Sequence, residues 1–229
     1  MSEEHQLEKL WVYSILPIIV LNLGAMCIFG AYYAVAAMRP EWVVGLSQGQ
    51  LSFVLFVFVS IVEWILAALV IFRLKLTGTR ELIASGPALK FRRLPALVVF
   101  AALNAIFVAY VLFVSAVYGR WHRIEGLAVW QMIVMLAAVP VTAGFCEELV
   151  WRGYIITRLQ ARGTGPWKAI LLSAVSFALI HGLTLPDRLL ATFLFGVIAG
   201  FYYVKERNLA PLIMTHIVVD MWSFGLSLV

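Results

Sequence analysis

The chain has 229 residues, of which 63% are hydrophobic and 13% are charged, and its mean hydropathy is +0.97. A soluble domain is about 45–50% apolar and about 25% charged, so water is not the main solvent of this fold. The formal net charge of +5 is also typical of nucleic-acid binders, but here the cations fall in short connections between apolar segments. We therefore expect the lipid bilayer, and no nucleic acid, as a partner.

Seven apolar stretches are long enough to cross a hydrocarbon core of about 30 Å, and each ends at charged, Pro or Gly residues. They lie at about 10–38, 51–72, 94–118, 127–157, 167–183, 187–204 and 209–226. The last three are short and closely spaced, so a re-entrant helix would change the count to between six and eight. The predicted fold is an all-α, polytopic transmembrane helix bundle of one domain over 1–229, with its core in the four C-terminal helices.

The distribution of Lys and Arg predicts the orientation of these spans, because cytoplasmic connections carry most of the cations. With seven spans and the N-terminus inside, 12 of the 17 cations fall on the cytoplasmic side and four fall outside, while Arg152 lies within a span. We therefore expect a multi-pass integral membrane protein with a cytoplasmic N-terminus, in the plasma membrane of a prokaryote.

Seven ionisable residues lie inside the predicted spans, where a charged side chain costs about 2.5–3.5 kcal/mol to insert. Residues that carry this cost usually pair with one another or serve a function. They are Glu63, Glu147, Glu148, Arg152, His181, His216 and Asp220. Three separate C-terminal helices contribute six of them, so we predict that these six gather in one cavity. Glu63 is alone on the second span, and the sequence does not place it.

The segment GFCEELVWRG contains two adjacent carboxylates and a cation. Glu148 and Arg152 are four residues apart, on one face of a helix, so we expect them to form an ion pair. Glu147 is turned about 100° away from Glu148 in an α-helix and stays free. An ion-paired couple without chemistry is the alternative for this segment, although one Arg balances only one of the two charges.

Two further segments contain histidines. His181 closes the string FALIH, with Phe177 one turn before it on the same face. Such a residue could also be a hydrogen-bonded core histidine. In HIVVD, His216 and Asp220 are four residues apart. This spacing fits a carboxylate that orients an imidazole, two groups that face one ligand, or a plain intrahelical hydrogen bond.

Two histidines and a spare carboxylate can activate water, either through a general base or through a divalent metal. For a metal such as zinc, the candidate ligands are Glu147, His181 and His216; a site without any cofactor is equally open. The zinc motif HExxH and the nucleophile motif GxSxG are both absent. Cys146, beside Glu147, is a less favoured nucleophile.

Taken in order, EELVWR fits EExxxR, FALIH fits FxxxH and HIVVD fits HxxxN/D. In these motifs the sequence resembles the CAAX-protease and bacteriocin-processing (Abi) family of intramembrane endopeptidases. The resemblance covers about residues 140–225, which include FGVIAGFYYVKERNLAPLIMTH, whereas the first 125 residues match only in being hydrophobic. The ordered set of three motifs is more specific than any one of them.

The resemblance implies roles for the predicted site. Glu147 would be the general base on water, and His181 would share that task or ligate a metal. Glu148 and Arg152 would orient the site. The family has been described both as metal-dependent and as glutamate-dependent, so the resemblance leaves the cofactor open.

By the same resemblance, His216 and Asp220 would stabilise the oxyanion of the tetrahedral intermediate. Family members often carry Asn at the second position, and Asn donates a hydrogen bond, whereas an ionised Asp only accepts. Asp220 must therefore be protonated, orient His216, or hold a metal.

The expected function is intramembrane hydrolysis of a peptide bond in a membrane protein or peptide. The substrate classes are a CAAX-type prenylated protein and a bacteriocin or signal-peptide precursor. A non-catalytic immunity or binding protein and a proton-coupled transporter are the alternatives, because intramembrane Glu, His and Asp also build proton paths. The sequence does not define the natural substrate or the oligomeric state.

Overall fold

The computed structural model describes residues 13–39, 47–76, 92–119, 121, 123–181 and 186–228. Within these ranges the chain forms helices and no strand, which confirms the predicted all-α bundle. The seven helices are α1 (Leu16–Met38), α2 (Gln48–Leu76), α3 (Arg93–Tyr118), α4 (Val129–Ala161), α5 (Pro166–Ile180), α6 (Pro186–Glu206) and α7 (Ala210–Leu228).

In the described part of the chain, six helices are long and apolar enough to cross a membrane, all except α5. Helix α5 has 15 residues, so it is about 22 Å long at 1.5 Å per residue. This is less than the roughly 30 Å of a hydrocarbon core. The chain is thus a multi-pass integral membrane protein, while the side of its N-terminus and the identity of its membrane stay predictions. The predicted first residues of span 10–38 and the long connection at 77–91 lie outside the described residues.

The N-terminal helix α1 lies at the edge of the bundle. Only Pro17 and Leu21 are buried in it, and large apolar side chains such as Met26 are exposed. Exposed apolar faces are stable where lipid, not water, surrounds the helix. A side-chain hydrogen bond attaches α1 to the bundle, from Nδ2 of Asn22 to the carbonyl oxygen of Leu179 at 3.0 Å.

Much of the core lies where α4 packs against α5, α6 and α7, and α2 and α3 also contribute to it through residues such as Ala67 and Leu103. Trp151, Phe177, Tyr203 and Leu212 are among its fully buried side chains. The indole nitrogen of Trp151 donates a hydrogen bond to Oγ of Ser176 on α5 at 3.1 Å. Buried polar groups need such partners, because water is excluded from this region.

Helices α5 and α6 approach each other closely through two glycines of α6. A Cβ atom at Gly196 would lie 3.0 Å from Cα of Ala174, and one at Gly200 would lie 3.0 Å from Cγ2 of Ile170. Small residues four apart let the backbones of membrane helices come together. The GVIAG segment therefore fixes α5 against α6.

Helix α4 changes its winding twice. Val134–Ala138 and Glu148–Ile156 are π-helical, with α-helix on either side. π-Helical turns are rare and occur frequently at functional sites. A π-helix turns each residue through a smaller angle than an α-helix, so Glu147 and Glu148 lie closer to one face than the predicted α-helical winding places them.

Candidate active site

Helices α4, α5 and α7 bring the six predicted site residues together. Their side chains form a connected set of ion pairs, hydrogen bonds and ring contacts. The name polar cluster is used below for Glu147, Glu148, Arg152, His181, His216 and Asp220.

The close packing of α4 and α7 places His216 beside the two glutamates. A Cβ atom at Gly144, one turn before Glu147, would lie 2.6 Å from Cγ1 of Ile217 and 3.1 Å from the carbonyl oxygen of Ile213. Only a residue without a Cβ atom leaves room for α7 at this distance. Gly144 is thus a structural requirement of the site that the sequence alone did not reveal.

One carboxylate oxygen of Glu148, Oε1, contacts both His216 and Arg152. Nδ1 of His216 donates a hydrogen bond to Oε1 of Glu148 at 2.8 Å. The guanidinium of Arg152 lies 3.1 Å from that oxygen, and neither side chain of this pair is more than 1% exposed. The predicted i,i+4 ion pair is therefore confirmed. Glu148, which this ion pair holds in place, also fixes the orientation of the imidazole ring of His216.

Glu147 faces both histidines with its second oxygen. Oε2 lies 3.5 Å from Nε2 of His216 and 3.9 Å from Nε2 of His181. This oxygen is buried and has no hydrogen-bond partner in the described part of the structure. Buried carboxylate oxygens are rarely left unpaired, so Oε2 of Glu147 is available to a water molecule or a substrate.

The tautomer of His181 follows from its neighbour. Nδ1 of His181 lies 2.9 Å from the carbonyl oxygen of Phe177, which can only accept, so Nδ1 carries the proton. In the neutral ring, Nε2 then has a free lone pair that points toward Glu147. The 3.9 Å between Nε2 and Oε2 is too long for a direct hydrogen bond and fits a bridging water.

Aromatic rings pack directly against the polar cluster. The Phe177 ring lies 4.2 Å from Cζ of Arg152 and 4.7 Å from the ring of His181. The Phe195 ring lies 5.0 Å from that of His216. Phe177 belongs to the FALIH motif, which explains why a phenylalanine precedes the histidine by one turn. Phe195 was not found from the sequence, because nothing in α6 distinguishes it from other apolar residues.

Asp220 lies at the more open side of the polar cluster. Its Oδ2 atom is 3.8 Å from Nε2 of His216, and its side chain is 24% exposed. This separation is too long for the plain intrahelical hydrogen bond that the spacing allowed. Since Glu148 already binds Nδ1, the carboxylate that orients His216 is Glu148 and not Asp220.

Glu63 of α2 joins the site from across the bundle. Its side chain is buried, and α2 packs against the part of α4 that ends at Glu147. The sequence identified Glu63 only as an isolated ionisable residue in a span. An unpaired carboxyl group inside a membrane span is energetically costly, and this cost is the signal from which Glu63 could have been assigned to the site.

The described residues include no group of three or more His, Cys, Asp or Glu side chains arranged to hold a metal ion. The zinc alternative, with Glu147, His181 and His216 as ligands, stays a prediction. Cys146 is buried among apolar side chains of the core, while the two histidines contact Glu147, Glu148 and Asp220.

An apolar groove of about 510 Å³ runs between α2 and α4. Ile61, Trp64 and Ile65 line it and are about half exposed. In a membrane, such a surface opens toward lipid. The same two helices carry Glu63 and Glu147. A hydrogen bond from Nε1 of Trp64 to Oγ1 of Thr142, 3.1 Å long, links the two helices that form the groove.

The fold and the polar cluster define a class: a polytopic membrane protein with a buried Glu–His site suited to activating water. Residues 128–222 match the family model described as type II CAAX prenyl endopeptidase Rce1-like. This region contains all three motifs and the whole polar cluster, and it is similar to that family of CAAX-type proteases. The resemblance drawn from the motifs is confirmed. Comparisons with curated proteins and with solved structures gave no match.

Proposed function

We propose that the protein is an intramembrane endopeptidase that adds water to a peptide bond of a membrane-associated protein or peptide. The observation that carries this proposal is the free Oε2 atom of Glu147, which faces Nε2 of His181 and of His216 at 3.9 and 3.5 Å. A basic oxygen beside an imidazole with a free lone pair is an arrangement suited to general-base catalysis.

In this mechanism, a water molecule lies between Glu147 and His181. It donates one hydrogen bond to Oε2 of Glu147 and one to Nε2 of His181. A lone pair of the water oxygen then points away from both residues, toward the peptide. As the water oxygen attacks the carbonyl carbon of the peptide, Glu147 takes the proton. The carboxyl group then gives this proton to the leaving amine, which restores the carboxylate.

His216 and Asp220 stabilise the tetrahedral intermediate in the proposed mechanism. Nδ1 of His216 is held by Glu148 at 2.8 Å, so Nε2 is directed into the site, and in the doubly protonated imidazolium form of the ring it donates to the oxyanion. Asp220 donates a second hydrogen bond in its protonated form, as Asn would at this position. One such donor is worth about 10²–10³ in kcat.

A prenylated CAAX-type protein is the substrate class that we favour over bacteriocin and signal-peptide precursors. The matched family model is that of a CAAX prenyl endopeptidase, and the groove between α2 and α4 offers about 510 Å³ of apolar space beside lipid. A hydrocarbon chain gains about 0.8 kcal/mol for each CH₂ group that leaves water. By the charge distribution, we place the cleavage near the cytoplasmic face.

The proposal is tested with purified protein in proteoliposomes and a peptide that ends in a CAAX sequence, with and without a prenyl group. Glu147→Gln is expected to lower kcat/KM by about 10²–10⁴, the usual contribution of a general base. The exposed Glu125 provides the control, and Glu125→Gln should cleave like the wild type. Cleavage by Glu147→Gln at the wild-type rate would contradict the assignment. Proton flux without proteolysis would instead support the transporter alternative.

A further inference from the structure

Helix α6 contributes no residue to the polar cluster, yet one of its aromatic side chains lies against that cluster. Phe195 is 7% exposed, and its ring centroid lies 5.0 Å from that of His216 at an interplanar angle of 55°. The ring is also stacked on Phe177, with 6.0 Å between the centroids, and lies 5.7 Å from Cζ of Arg152. The proposed mechanism does not use this residue.

The close packing of α6 on α5 brings Phe195 to this position. A Cβ atom at the next residue, Gly196, would lie 3.0 Å from Cα of Ala174 and 3.4 Å from Cδ1 of Phe177. Only a residue without a Cβ atom lets the two backbones approach this closely without strain. The contact therefore fixes α6 along α5 and holds the ring of Phe195 beside that of Phe177.

The imidazole ring of His216 needs more than its hydrogen bond to keep one orientation. The bond from Nδ1 to Oε1 of Glu148 at 2.8 Å fixes one atom of the ring. It restrains the ring plane only weakly, because the χ2 torsion of histidine has a broad preference. The rings of Phe195 at 5.0 Å and Phe177 at 6.0 Å restrict the plane from two further directions. Nε2 is thus kept toward Oε2 of Glu147, at 3.5 Å.

Arg152 depends on the same two aromatic rings. Its Nη1 and Nη2 atoms are buried and form no hydrogen bond within the described residues, although the guanidinium lies 3.1 Å from Glu148. Cζ lies 4.2 Å from the Phe177 centroid and 5.7 Å from that of Phe195. An aromatic face attracts a cation within about 6 Å. The two rings therefore stabilise a guanidinium that hydrogen bonds do not hold.

We propose that Phe195 is a positioning residue that fixes the plane of the His216 ring and, together with Phe177, holds the guanidinium of Arg152 against Glu148. This inference rests on the proposed hydrolytic function and extends it to α6, a helix that contains none of the three motifs.

Peptide cleavage by the full chain in proteoliposomes tests this role. Phe195→Met and Phe195→Leu remove the ring but keep an apolar side chain of roughly similar volume. In both variants kcat should fall by about tenfold with KM nearly unchanged, because Phe195 acts through His216 and not on the peptide. A tenfold loss corresponds to about 1.4 kcal/mol, within the range of an aromatic contact with a desolvated cation.

Two further variants serve as controls. Replacement of Phe195 by 4-fluorophenylalanine keeps a flat ring of nearly the same size, so kcat should stay within about threefold of wild type. Phe201 lies on the same helix, is 48% exposed and stacks on Trp167. Phe201→Met should therefore cleave like the wild type.

The second measurement is the NMR spectrum of the protein labelled with ¹³C at Cε1 of histidine, which does not depend on activity. The His216 signal is identified as the one that His216→Gln lacks. It should broaden or split in Phe195→Met, because the ring samples several orientations, and stay unchanged in Phe201→Met.

The outcomes separate the positioning role from the hydrolytic function. Wild-type kcat in the variants without the ring, a loss confined to KM, or an equal loss with 4-fluorophenylalanine would overturn the role of Phe195. A single sharp His216 signal in Phe195→Met would overturn the fixed ring plane. A wild type that cleaves no peptide, with a His216 signal that still broadens in Phe195→Met, would overturn the proposed hydrolysis and retain the positioning of His216.

Discussion

Arg152→Met should destabilise the protein severely, because Arg152 is the cation that balances Glu148. The two side chains are 1% and 0% exposed and their charged atoms lie 3.1 Å apart. Removing one partner of a buried ion pair costs about 3–5 kcal/mol, since the other charge stays in the low-dielectric interior. The guanidinium also lies 4.2 Å from the Phe177 ring centroid, a separate contact worth about 2 kcal/mol when desolvated.

The free energy of unfolding, measured by titrating SDS into protein in mixed micelles, tests this expectation. Arg123, which is exposed, provides the control, and Arg123→Met should change the free energy by less than about 0.5 kcal/mol. In the double variant Glu148→Gln/Arg152→Met, the unpaired charge is gone, so the loss should be smaller than the sum of the single losses by about 1–3 kcal/mol. A strictly additive double variant would refute the reasoning, as would an Arg152→Met variant within about 1 kcal/mol of wild type.

Two further outcomes concern α7. Asp220→Asn should keep kcat within about five-fold of wild type, because Asn donates the hydrogen bond that protonated Asp supplies. Asp220→Leu should lose about 10²-fold, and an Asp220→Asn variant as inactive as Asp220→Leu would show that the carboxylate itself is needed. Gly144→Ala should push α7 away from α4 at a cost of about 1–3 kcal/mol and reduce peptide cleavage. Gly30→Ala, where a Cβ atom would meet nothing within 4 Å, is the matched control, and an equal effect of both would contradict this packing argument.

The membrane fold could be predicted from the sequence because lipid imposes a simple rule. A span must be apolar, helical and about 20 residues long, so hydropathy alone located helices such as α3, predicted at 94–118 and observed at Arg93–Tyr118. The short helix α5 was predicted as a full span at 167–183 but ends at Ile180. Hydropathy alone does not show where the backbone hydrogen bonding of a helix stops.

The site could be predicted only in part. The pair Glu148–Arg152 followed from helical spacing, because both partners lie on one helix. The placement of Glu63 near the site did not, since 84 positions separate it from Glu147 in the sequence and the packing of α2 on α4 brings the two helices together. The π-helical winding that begins at Glu148 also has no signature in the order of residues, because it depends on how α4 packs against its neighbours.

The shortness of α5 has a consequence for the bilayer itself. A transmembrane α5 of about 22 Å would be shorter than a hydrocarbon core of about 30 Å, a mismatch that lipids accommodate by thinning locally around a helix. His181 follows directly after the end of α5, and its side chain is 26% exposed. The thinned region would bring the interface toward this histidine, so the hydrolytic water would not need a channel through the full bundle. We therefore expect acyl-chain length in the surrounding lipid to set the depth at which water meets the polar cluster.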